Sequence, residues 1–129
     1  MRPVEPDDRI YYDDATAFKD SVRLTIRDAE AWNGAWTKAT QEQAAPPALP
    51  EIDFTRHMLV LVSAGPMRPG DEIRVDSTGL QSSRPVAVVR TTVECQPFPG
   101  ASYPTEIIRL PRSDSMVTFL EIRSKTGDC

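Results

Sequence analysis

His57 is the only histidine in a chain of 129 residues, so chemistry built on imidazole rests on one side chain. Nucleophilic catalysis needs a nucleophile, a base beside it and usually a third group to orient that base. No Gly-x-Ser-x-Gly elbow surrounds any serine, and His57 opens an apolar run directly after Arg56. That setting reads as a structural or surface histidine. Adjacent carboxylates occur at Asp7-Asp8, Asp13-Asp14 and Asp71-Glu72, and paired acids can do acid–base or cation-binding work. The first two pairs lie in a polar opening stretch, where they read as solvated charge. Asp71 and Glu72 follow a Pro-Gly turn into a strand, whose successive side chains point to opposite faces, so they make a poor shared site. The loop Gly65-Pro66-Met67-Arg68-Pro69-Gly70 lacks the Gly-Lys-Ser/Thr ending of a phosphate loop and leads into no helix. No catalytic residue, metal site or cofactor is expected.

Two cysteines remain, Cys95 in an expected strand and Cys129 at the end of the chain. Either they are a buried thiol and a frayed terminal one, or they form a disulfide that pins the tail in an oxidising compartment. With no CxxC and one histidine, metal binding is not the reading.

The charge balance narrows the partners. Fifteen Lys and Arg stand against nineteen Asp and Glu, a net −4, with the cations scattered. Nucleic-acid affinity rests mainly on neutralised phosphates, so a nucleic-acid partner is not expected. The longest apolar run, Met58 to Val62, is strand-sized and far short of the ~20 residues of a membrane span. No signal-peptide h-region follows Met1-Arg2. The expected location is cytoplasmic, or extracytoplasmic if a signal peptide has been trimmed.

Periodicity supplies the elements. Residues 1–20 read as a flexible polar lead, anchored only by Tyr11, Tyr12 and Phe18. Val22, Leu24 and Ile26 alternate with Arg23, Thr25 and Arg27, which is the period of a half-buried strand. Asp28 is placed to cap a helix over roughly 29–43, with Trp32 and Trp36 one turn apart on its apolar stripe. Pro46 and Pro47 stop it. Met58 to Val62 reads as a central strand buried on both faces. Strands then follow at Ile73 to Val75, Val86 to Cys95, Glu106 to Leu110 and Met116 to Ile122, with a turn over 77–84. Residues 124–129 read as a tail, leaving one domain over 21–123. The predicted fold is α+β with the order β-α-β-β-β-β-β. It is a single, mainly antiparallel curled sheet, or a small sandwich or half-barrel, with one packed α-helix. Its core is expected to centre on Val60 and Trp36.

Two loops punctuated by Pro and Gly, 65–71 and 96–105, carry Met67, Arg68, Phe98 and Tyr103, residue types favoured at protein contacts. With Arg109 they form the candidate binding set, and the two loops are expected to lie close together.

The order of several short motifs resembles a known family. Trp32 and Trp36 in the helix precede Pro50-Glu51-Ile52-Asp53-Phe54 and the Met58–Val62 strand. The turn from Gly65 to Gly70 with Arg68-Pro69 follows, then Ile73 and Val75. Tyr103-Pro104-Thr105 stands ahead of Ile107-Ile108-Arg109-Leu110-Pro111-Arg112. Over about residues 22–121 this succession is similar to the PrcB C-terminal domain family, named for a subunit of a bacterial surface protease complex. The resemblance implies a non-catalytic, usually extracytoplasmic accessory domain that docks a peptidase or another envelope protein. The chain departs from the family's Gly-Gly-Tyr turn, with Gly70-Asp71-Glu72-Ile73 in its place. A partner contact made by that tyrosine is therefore in question. The alternatives are a protease-inhibitor-like β module inserting the same loops into a cleft, and a small ligand-binding domain or hydrolase. The last would need a pocket lined by Arg68, Arg109 and Tyr103.

Overall fold

The computed structural model describes residues 1–96 and 98–127. Its elements in chain order are β1 (Arg2–Pro3), a 3-10 turn (Pro6–Asp8), β2 (Arg9–Asp13), β3 (Ser21–Ile26), α1 (Ala29–Thr40), β4 (His57–Ala64), β5 (Glu72–Gln81), β6 (Arg84–Glu94), β7 (Thr105–Pro111) and β8 (Thr118–Thr126). From residue 21 the order is the expected β-α-β-β-β-β-β. The strands form two sheets, β1-β5-β6-β8 and β2-β7-β4-β3, so the α+β fold takes its sandwich form. Among the described residues, these strands all pair antiparallel except β6 with β8. That pair is parallel because the chain passes through β7 of the other sheet before it returns.

The continuous apolar run of β4 makes it the shared wall of two cores. Met58, Val60 and Val62 point between the sheets, against Ile73, Val75, Ala87, Val89 and Ile108. Leu59 and Leu61 point the other way, toward Trp32, Trp36, Ala39 and Ile107. The layers are therefore sheet, sheet and helix. Val60 and Trp36, expected at the centre of one core, are both buried but belong to different ones. Alternation along β4 separates them.

α1 starts where expected. Asp28 is extended and its Oδ1 accepts the Ala31 N–H at 2.8 Å, filling one of the donors a helix start leaves open. The helix stops at Thr40, three residues before the sequence expectation, with Gln41 as its C-cap. Trp32 and Trp36 donate their indole N–H groups to the carbonyls of Pro50 and Pro47, at 2.9 and 3.1 Å. The proline connection is thereby strapped onto the helix, since proline lacks a donor but keeps its acceptor.

Residues 1–20, expected as a flexible lead, are built into both sheets. Arg2 and Pro3 pair with Thr78 and Ser77 of β5, and β2 pairs with β7 from Ile108 to Thr105. The cause is the bare edge each sheet would otherwise leave, a row of N–H and C=O groups open to pairing. Val4 then packs against the inter-sheet core, and Ile10 and Tyr11 against the helix side. The tail is corrected likewise, because β8 runs on to Thr126. The expected turn over 77–84 shrinks to Ser82 and Ser83, both at positive φ (51° and 66°), which joins β5 to β6 as a two-residue hairpin. No helix among the described residues is long and apolar enough to cross a membrane.

Among the described residues, Glu106 is the one buried carboxylate between the sheets, 1% exposed. It receives Arg9 and Arg74, each at 2.8 Å, and the Val75 N–H at 2.8 Å. Beside it the Arg74 guanidinium lies 3.7 Å over the ring of Tyr12. Burial pushes the Tyr12 phenol up to about 12, with the Arg74 charge a smaller opposing effect. A folded-state value above the ordinary 10.0 means the neutral phenol stabilises the fold. That contribution is whole below the unfolded value and is lost as pH rises from 10.0 through about 12. Tyr12→Phe should therefore flatten the fall in stability over this window, read by denaturation at stepped pH. An unchanged slope would count against the burial.

Candidate functional site

Loop 65–71 leaves β4 by a close crossing. Gly65 sits at φ +74°, and a Cβ there would lie 2.8 Å from the Ser21 backbone nitrogen, so only glycine fits. Asp71 then closes the loop from within. It is buried, its Oδ2 accepts the Arg68 N–H at 3.0 Å, and its Oδ1 accepts the Glu94 N–H at 2.7 Å. Glu72 is exposed beyond it, so these neighbouring acids face apart, as the alternation of a strand requires. In the sequence Asp71 reads as half of an adjacent acid pair and as a departure in the turn, not as the closure of the loop. Its sequence signal was the Arg68-Pro69-Gly70-Asp71 string, in which an aspartate side chain can cap a tight turn.

The second loop is fastened to the first. Met67 and Ser102 exchange both backbone hydrogen bonds at 2.9 Å, and the Ser102 hydroxyl donates to the Arg68 carbonyl at 3.0 Å. Phe98 lies across Gly70, its ring carbon 3.6 Å from where a Cβ would stand, and Gly100 faces Pro69 in the same way. The expected closeness of the two loops is thus present. Phe98 is 62% exposed, Arg68 is exposed and Met67 is half-buried.

The remaining candidates fall elsewhere. Tyr103 turns to the opening segment, with Lys19 Nζ 3.9 Å over its ring and its N–H on the Asp14 carbonyl at 2.6 Å. Arg109 pairs with Leu59 along β7, four residues past the end that meets the loops, and its Nε donates to Asp8 at 3.1 Å. An ion pair with the 3-10 turn holds it there. Among the described residues, the pocket of Arg68, Arg109 and Tyr103 that a small-ligand reading needs is not formed. His57 begins β4, half-buried, with its backbone N–H on the Asp53 carbonyl at 2.9 Å. The Asp53 carboxylate accepts from the Thr55 hydroxyl and N–H, which hold it below the usual carboxylate range. Cys95 lies just past β6, and its suggested mate Cys129 lies outside the described residues. No group of three potential metal ligands occurs among the described residues.

Below the rim runs an open groove of about 490 Å³, lined by Met67, Arg68, Val93, Glu94, Gly100 and Arg123. It borders a second depression of about 270 Å³ between β3 and β8, where Met67 and Arg123 recur. Arg123 lay outside the sequence-based set, because only the folding of β8 beneath the loop brings it there. The combined surface offers a thioether, three guanidinium groups (Arg23, Arg68 and Arg123) and three carboxylates (Asp71, Glu94 and Glu121), with the Phe98 ring on the rim above. Arg23 is held by Glu121 and Asp71 by backbone amides, so Arg68, Arg123 and Glu94 are the charges presented to a polar and apolar segment. Compared with known proteins, the chain matched no family model, no curated protein and no solved structure.

Proposed function

We propose that this protein is a non-catalytic accessory domain that binds a protein partner, a peptidase or an envelope protein, through loops 65–71 and 96–105. One observation carries the reading: Phe98 stands 62% exposed on a loop locked to its neighbour by the Met67–Ser102 pairing. Burying a large exposed ring on association is favourable, and loops already held in shape lose less entropy when they bind. Pro66, Pro69 and Pro99 add to that restraint. Arg68, Arg123 and Glu94, at the groove below, suit a partner segment with charged side chains beside an apolar one. The resemblance to the PrcB C-terminal domain family points to the same class of role.

The test is capture of partners by the immobilised full chain, comparing wild type with the double variant Phe98→Ala/Arg68→Ala. Capture should fall at least about tenfold, since exposed anchor residues carry most of a small interface. The unfolding free energy should move by no more than about 0.5 kcal/mol. Undiminished capture by the double variant would remove the rim from the reading. A hydrolytic activity lost in His57→Ala with the fold intact would replace it with an enzyme.

A further inference from the structure

Sheet edges normally carry devices against pairing with another chain: short strands, prolines, bulges, charged side chains or coverings. β1 has two residues and a proline, and β2 is shifted by a bulge. β3 is a six-residue edge with neither. β8 is the longest edge, and its only device is the charges of Glu121, Arg123 and Lys125. It ends its sheet with nine residues, no proline and an unbroken register against β6. Glu121, Ile122 and Arg123 are exposed in succession, as on a bare edge.

The two faces of β8 are fixed by its contacts. Phe119 packs on the inter-sheet core and Glu121 reaches Arg23 of the other sheet at 2.8 Å, so residues 119, 121, 123 and 125 share the inner side. Leu120 and Ile122, 41% and 40% exposed, share the outer side with Ser124, which meets Thr92 at 3.0 Å.

We propose that two copies of this chain pair antiparallel through β8, about a twofold axis at Ile122, and merge their four-stranded sheets into one. The strand from Thr118 to Thr126 is centred on Ile122 and complements itself there. Glu121 faces Arg123 of the second copy on both sides of the axis. Phe119 faces Lys125, Leu120 faces Ser124, and Thr118 faces Thr126. Arg123 and Lys125 form no ion pair among the described residues, so both are free to take these positions. Glu121 already accepts two bonds from Arg23, and a carboxylate has further acceptor capacity. The register is specific. A slide of two residues sets Glu121 against Glu121 or Arg123 against Arg123, and like charges directly opposite destabilise a sheet. This inference shares Arg123 with the groove below the rim, while Phe98 and Arg68 lie outside β8.

Sedimentation of the purified full chain over a concentration series is the test. Wild type should show a monomer–dimer equilibrium, and Arg123→Glu should weaken it by at least about tenfold, because two cross-strand attractions become repulsions. Mixing Arg123→Glu with Glu121→Lys should restore a dimer, since one strand is then positive at both positions and the other negative. Should Glu121→Lys not fold for loss of its Arg23 partner, cysteine cross-linking reads the same register. Ile122→Cys should form a disulfide-linked dimer on mild oxidation, because axis-related residues come within disulfide reach. Leu120→Cys should not, with the wild-type chain run alongside to account for Cys95 and Cys129. A wild type that stays monomeric, an Arg123→Glu variant that dimerises as tightly as wild type, or equal cross-linking at 120 and 122 would overturn the proposal. The Phe98→Ala/Arg68→Ala variant should dimerise as wild type does, which separates this interface from the rim.

Discussion

Glu106→Ala is expected to lower the unfolding free energy by about 3 kcal/mol, the low end of what breaking a buried ion pair costs. The carboxylate is 1% exposed and joins both sheets, taking Arg9 from its own sheet and Arg74 and the Val75 N–H from the other. Removing it leaves Arg9 without its counter-charge, Arg74 with only the more distant Glu72 at 3.9 Å, and one buried N–H without its acceptor. The low end applies because Arg9 and Arg74 are 35% and 37% exposed and can turn toward water. Glu106→Gln keeps the shape and one acceptor oxygen, so its loss should be smaller, about 1–2 kcal/mol. Guanidinium denaturation of the three proteins checks both figures. A loss below about 1 kcal/mol for the alanine variant would mean that the sheets hold their spacing by apolar packing alone.

That cluster was illegible in the sequence, and the reason is physical. A glutamate at the start of a strand reads as solvent-facing charge, because lone carboxylates are seldom fully buried. Its burial depends on partners 97 and 32 residues away in the chain. Arg109 was misplaced for the same reason, since Asp8 in the opening segment holds it. What could be read was local. The unbroken run Met58 to Val62 announced a strand with two covered faces, and the Asp28 cap and tryptophan spacing announced the helix. The edge pairings of residues 2–13 are made by backbone groups and leave little side-chain pattern. In β5, Ser77, Thr78 and Gly79 imitate a turn. They are strand because each pairs with β6 (Val88, Ala87 and Val86), and Arg2 and Pro3 then pair on the other side with Thr78 and Ser77.

The candidate rim divides along the same line. Proline, glycine and aromatic content marked both loops, and their closeness was expected from composition. What joins them is the backbone exchange of Met67 with Ser102, together with the Ser102 hydroxyl on the Arg68 carbonyl, and a lone serine between Ala101 and Tyr103 does not announce either. Asp71 shows how a residue can look functional for the wrong reason. It stands beside Glu72 as an adjacent acid, yet its two oxygens are spent on the Arg68 and Glu94 amides. The turn is therefore held in shape by this aspartate, while Phe98 and Arg68 beside it stand exposed.

Trp36→Ala should cost ~3–5 kcal/mol, the range for truncating a packed aromatic side chain to alanine. Trp36 is 6% exposed and meets Tyr11 edge-on at 4.8 Å and Trp32 at 5.3 Å, so its removal opens the centre of the helix-side core. It also frees the Pro47 carbonyl, one of two tethers on the proline connection. Trp36→Phe keeps a ring but loses that bond and part of the volume, and should cost about 1–2 kcal/mol. The layered core gives a second, sharper expectation. Val60 faces the other sheet across β4 and shares no cluster with Trp36. The losses of Val60→Ala and Trp36→Phe should then add to within about 0.5 kcal/mol in the double variant. Chemical denaturation of the set measures both. A Trp36→Ala loss under about 1 kcal/mol would contradict its placement, and strong non-additivity would show one continuous core where β4 should divide two.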